Sequence, residues 1–128
     1  MDYIYYVGKA SLVLRVVHYL QVCESLSIRF MTVLHLFNGW VVRVHALDWP
    51  VGCQHNFQAF LGELGVPHQP NSRVALVLRE LEEGHRPTDI MQRHRVAIVS
   101  HGPPNSHEIE VFRDQFIEGL GYCPETLA

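Results

Sequence analysis

Two short neighbourhoods hold the residue types that could carry covalent chemistry. In Cys53-Gln54-His55, an extended backbone would set thiol and imidazole on one side, where the histidine could draw off the thiol proton. Ser100-His101 has Asp89 and Glu108 nearby in sequence. Adjacent strand residues point to opposite faces, however, so His101 is poorly placed as a base for Ser100. His101 with His107 is the other pair that a pocket could use. Nine histidines also raise metal binding, with His85, His94, His101 and His107 beside Cys53 and His55 as candidates. Their spacing does not give the paired four-ligand set of a structural zinc site. No metal and no other cofactor is expected, and the residues argue against an enzyme. A small enzyme with a Cys/His site is kept as an alternative.

The second chemistry-bearing group is basic. The chain has nine arginines and a single lysine, Lys9. Arg86, Arg93 and Arg95 cluster around Pro87 to His94, behind a helix that would end at Gly84. The segment from Leu81 to Val96 resembles the first two helices of a helix-turn-helix. That resemblance implies DNA binding, with Arg86, Arg93 and Arg95 reaching phosphates and counterion release supplying affinity. Arg95 stands where the turn glycine usually sits, and Gly102-Pro103-Pro104 interrupts the place of a recognition helix. Arg95 to Gly102, followed by a capped helix, is similar to the first strand–loop–helix unit of Rossmann-like domains such as the periplasmic sugar-binding type. Pro103 and Pro104 lack N–H groups and Glu108 would compete, so a nucleotide loop is not expected there.

These residues need elements to hold them. Tyr3 to Val7 is aromatic and β-branched and reads as a strand. Ser11, Arg15, His18, Gln21 and Ser25 form one polar stripe on an otherwise apolar helix spanning 11–25. Ile28 to Phe37 and Trp40 to Leu47 flank Asn38-Gly39, which predicts a hairpin with a two-residue type I′ turn. In that register Phe37 faces Trp40, His35 faces Val42 and Val33 faces Val44. The other side mixes Leu34, Leu36 and Val41 with Arg43 and His45, and should be half covered. Helices are expected at 54–64 and at Thr88 to His94 with Thr88 as N-cap. The stretch 73–83, with Ser72 as N-cap and Gly84 as terminator, reads as a helix in preference to a buried strand over Val74 to Leu78, which the residues also fit. Val96 to Val99 reads as a short strand. Asn105 and Glu108 form a capping box for a last helix, 105–120, stopped by Gly121.

Length and composition set the frame. The chain has 128 residues, 48% hydrophobic and 18% charged, which fits one folded domain over 1–128. A net charge of −3 gives no global attraction to nucleic acid or an anionic membrane. Three scattered cysteines point to a reducing compartment, and the N-terminus lacks a signal-peptide pattern, so a cytoplasmic location is expected. No charge-free run approaches a membrane span. The expected fold is α+β, with an antiparallel hairpin-based sheet packed on three or four helices. The expected function is non-catalytic regulation by binding another macromolecule, foremost a protein. Surplus apolar surface on the 11–22 helix or a hairpin edge would serve a protein partner or self-association.

Overall fold

A computed structural model describes residues 1–23 and 26–128. In chain order the elements are β1 (Asp2–Val7), α1 (Ala10–Val22), β2 (Ile28–Leu36), β3 (Gly39–Ala46), α2 (Val51–Leu64), β4 (Gly65–Pro67), α3 (Ser72–Glu82), α4 (Pro87–His94), β5 (Ala97–Gly102) and α5 (Ser106–Leu120). A 3-10 turn at Glu125–Leu127 follows. The strands form one sheet in the order β4-β1-β3-β2-β5, antiparallel at every junction. The fold class is therefore α+β, as expected. Ser25, placed at the end of the first helix on sequence grounds, lies outside the described residues.

The sheet is covered on both faces because strand side chains alternate. On the first face Tyr5, Val7, Met31, Val33, Trp40, Val42 and Val44 pack under α1, α2 and α5, which contribute Val13, Val17, Phe57, Leu61 and Ile109. On the second face Leu34 and Val41 meet Val74, Val77, Leu78, Leu81 and Ile90 of α3 and α4. The polar stripe of α1 is exposed at Ser11, Arg15, His18 and Gln21, while Ala10, Val13, Val16, Val17 and Leu20 are buried. The apolar face of α1 is mostly consumed inside the fold, contrary to the expectation that it would be left over. No helix among the described residues is long and apolar enough to cross a membrane.

The hairpin forms, but in a different register. Leu36 pairs with Gly39, His35 with Trp40 and Val33 with Val42, so the turn residues are Phe37 and Asn38. A slip of two residues leaves every side chain on its original face, except that Phe37 moves into the turn and stands fully exposed. None of Phe37, Asn38 and Gly39 has a positive φ, so the turn is not type I′. Gly39 serves close approach instead: a Cβ there would collide with the Tyr6 ring, whose hydroxyl donates to the Asn38 carbonyl.

Helix starts also differ by one position. Asn71, not Ser72, caps α3, its Oδ1 accepting the Val74 N–H at 2.9 Å. Pro87 occupies the first turn of α4 behind Arg86, so Thr88 lies inside the helix rather than capping it. Asn105 does cap α5, and Gly121 ends it at φ 79°. Gly102 then leads from β5 into α5, but β5 is an antiparallel edge strand, so the likeness to a Rossmann-like unit stops at strand, loop and helix.

Candidate functional site

The densest group of ionisable side chains lies at the end of the second sheet face that α3 and α4 leave uncovered. Alternation puts Asp2, Phe30, Thr32, Arg43, His45 and His101 on that side of four adjacent strands. Arg43, only 7% exposed, donates from Nε and Nη2 to the two oxygens of Asp2, both at 3.1 Å. Nη2 also reaches Glu82 at the end of α3, at 3.2 Å. His45 Nδ1 lies 2.8 Å from Asp2 Oδ1. The Phe30 ring sits between the rings of His45 and His101, with centroid distances of 5.3 and 5.0 Å. The Arg43 guanidinium lies 5.1 Å from its centroid, within cation–π range.

Burial pushes the Asp2 carboxyl up, but hydrogen bonds from Arg43 and His45 outweigh it and hold the group below its usual value. Burial likewise opposes the charge on Arg43, while Asp2 and Glu82 more than restore it. His101 is driven down by burial and by the Arg43 charge. Its Nδ1 is 2.7 Å from Thr32 Oγ1. Thr32 is 1% exposed, so this hydroxyl–imidazole contact offers a substrate no nucleophile. Two carboxylates occupy the arginine, and the group works as a staple joining β1, β3 and α3.

A second histidine, His35, is half-buried, with its Nε2 atom out of reach of solvent. His35 contacts Trp40, Phe112 and Phe116 at ring-centroid distances of 4.8, 5.2 and 5.3 Å. Its buried Nε2 has no hydrogen-bond partner among the described residues. Burial pushes its pKa down, so a neutral imidazole supports α5.

The residues singled out by sequence are not gathered into one site. Cys53 and His55 sit two apart in the first turns of α2, so their side chains diverge around the helix axis instead of sharing one side of an extended segment. His101 is on the second sheet face, whereas His107 is exposed on α5, which covers the first. His85 lies beside Glu83 at 3.5 Å and His94 beside Glu80 at 3.0 Å. No group of three potential metal ligands occurs among the described residues. Arg86 is exposed 4.0 Å from Asp89, and Arg93 lies 3.4 Å from Glu80. Arg95 ends α4 with a left-handed backbone at φ 54°, and its carbonyl accepts from Arg73 Nη2 at 2.8 Å. A strand of the sheet follows α4, where a helix-turn-helix would place its recognition helix.

The two sheet edges differ. β4 has three residues and ends in Pro67, a short and blunted edge. β5 has six residues, no proline and no Lys, Arg, Asp or Glu. Among the described residues its outer side carries no strand, which leaves a row of backbone donors and acceptors unmatched by the sheet. Ala97, Ile98 and Val99 are partly exposed. α5 packs against β5 and exposes Val111, Phe116 and Leu120. Arg73 and Arg95 stand exposed at the start of β5, in no ion pair among the described residues. Glu108 and Glu110, equally exposed, lie in the first turns of α5, two apart and so on different sides of that helix. Ser100 Oγ donates to Glu108 Oε1 at 3.4 Å, which anchors that carboxylate near β5.

Sequence reading noticed Arg43 and His45 as polar intrusions in the hairpin but missed Asp2 and Glu82, which reach them from about 40 residues away. Arg73 was missed for the same reason. Comparisons of the chain with family models, with curated proteins and with solved structures found no match.

Proposed function

We propose that the protein is a non-catalytic regulatory module that binds another protein chain along the outer edge of β5. The observation that carries this reading is the contrast between the two sheet edges. β4 is short and ends in proline, whereas β5 presents an uncharged six-residue edge beside the exposed apolar side chains of α5. An extended segment added to such an edge gains main-chain hydrogen bonds for affinity and neighbouring side chains for specificity. The polar cluster around Arg43 supports the non-catalytic part, since its charges are matched within the fold. The three free thiols fit a reducing compartment, and we place the protein in the cytoplasm.

Photo-crosslinking in the native host tests the reading by position. A photoreactive residue at Val111 or Leu120, exposed on the helix that packs against β5, is expected to give discrete protein adducts that are lost when Ile98→Pro interrupts the strand. The same residue at His55, on α2, serves as control. Equal labelling at both places, or no protein adduct from α5, overturns it. Adducts to DNA that weaken with salt and with Arg86→Ala, Arg93→Ala or Arg95→Ala would favour the helix-turn-helix-like reading instead.

A further inference from the structure

We infer that the chain seated on β5 is a second copy of this protein, joined about a two-fold axis so that two five-stranded sheets become one. This rests on the reading of β5 as the binding edge. A two-fold axis perpendicular to a sheet brings an edge strand against itself in antiparallel orientation, so the start of β5 in one copy meets the end of β5 in the other. The charges on this edge suit that arrangement and no parallel one. Arg73 and Arg95 stand together at the start, tied by the Arg73 Nη2 bond to the Arg95 carbonyl. Glu108, tied to Ser100, stands at the end, and Glu110 lies further round the first turns of α5. Between them the strand has no Lys, Arg, Asp or Glu, so nothing on it opposes close approach. Each end of the interface thus sets Arg73 and Arg95 of one copy towards the acidic first turns of α5 in the other.

A six-residue edge by itself buries less than the roughly 800 Å² per partner of a stable interface. α5 runs against β5 on the first sheet face, and the two-fold axis brings the two α5 helices to the same side of the joined sheet. Val111, Phe116 and Leu120 are the exposed apolar side chains there. The opposite edge of the sheet, closed by Pro67, does not continue the pairing, so association stops at two copies rather than growing into a fibre.

Sedimentation equilibrium on the full chain, from about 1 to 100 µM, tests this with a charge swap. The unaltered protein is expected to dimerise. Arg95→Glu, or Glu108→Arg with Glu110→Arg, is expected to weaken the dimer by about tenfold or more, since each creates two like-charge ends per dimer. Combining all three substitutions in one chain is expected to restore it. Mixing the two variant proteins is expected to restore pairing as well, because in the mixed dimer the altered start of one copy meets the altered end of the other, and the unaltered arginines meet the unaltered glutamates at the opposite end. A protein monomeric across the range, or a combined variant no better than its parents, overturns the inference. If a variant unfolds, amide exchange of Ala97–Gly102 in the unaltered protein decides. Protection that rises with concentration supports pairing, and exchange independent of concentration overturns it. A monomer that still gives β5-dependent crosslinks in the host would sink the second copy while leaving the binding edge standing.

Discussion

At the scale of single residues, the ionisable groups packed into the two sheet faces are either matched or neutral. Arg43 is the matched case, held by Asp2 and Glu82 with His45 on the same carboxylate. His35 is the neutral case, its Nε2 without a hydrogen-bond partner among the described residues and its ring against Phe112 and Phe116. Burial lowers its pKa from 6.5, so the folded state binds a proton less readily than the unfolded chain. Stability is then full above that ordinary value and falls as pH drops through it, until pH reaches the depressed value in the fold. His101 contributes with the same sign, whereas Asp2, lowered from 3.8, adds a loss only at more acidic pH. The ionisable neighbours on α5, among them Arg113 and Asp114, pair with each other at 3.4 Å. Urea midpoints measured between about pH 8 and pH 5 should fall on acidification, and His35→Phe should flatten the fall without removing it. An unchanged pH slope in that variant would show that His35 is not the buried neutral group described.

At the scale of elements, two glycines separate close approach from helix strain. Gly65 joins α2 to β4, and a Cβ on it would run into the Tyr6 carbonyl oxygen and lie 2.7 Å from Val7 Cγ1. Gly62 lies in the interior of α2, where an added Cβ meets nothing. Gly65→Ala should therefore destabilise the protein by about 1–3 kcal/mol, as overpacking does. Gly62→Ala should stabilise it by about 0.5–1 kcal/mol through helix propensity. Denaturant unfolding of both variants checks the pair, and equal effects would contradict the β1–β4 packing. Local signals of this kind made much of the fold readable beforehand. Asn105 and Gly121 marked the ends of α5, while the spacing of Val74, Val77, Leu78 and Leu81 fitted α3 but left a buried strand open, and composition with the end signals favoured the helix that forms. The hairpin was readable but its register was not. Asn38-Gly39 is a turn signal by propensity, and the demand on Gly39 comes from Tyr6, 33 positions earlier in the chain, which no local pattern contains.

At the scale of the whole molecule, strand order decides what is available for binding, and strand order was not legible in the sequence. Val96 to Val99 looks like any buried strand when read alone. Its place at the rim follows from β2 having β3 on one side and β5 on the other. The expectation of a spare apolar face on α1 failed for a related reason: the sheet has two faces to cover, and α1 with α2 and α5 closes the first. The Arg43 cluster was half visible, as polar residues alternating into the hairpin, while its partners Asp2 and Glu82 come from remote segments. Arg95 was noticed as a phosphate ligand, yet its position beside Arg73 at the start of β5 suits a carboxylate across a strand pair equally well. The most direct measurement is amide hydrogen exchange across Ala97–Gly102, comparing dilute purified protein with the assembly isolated from the native host. Amides on the outer side of β5 are expected to exchange fast in the first and to be protected in the second, with the β2–β3 amides slow in both. Outer β5 amides that exchange equally fast in both samples would contradict the claim that this edge is where the protein meets another chain.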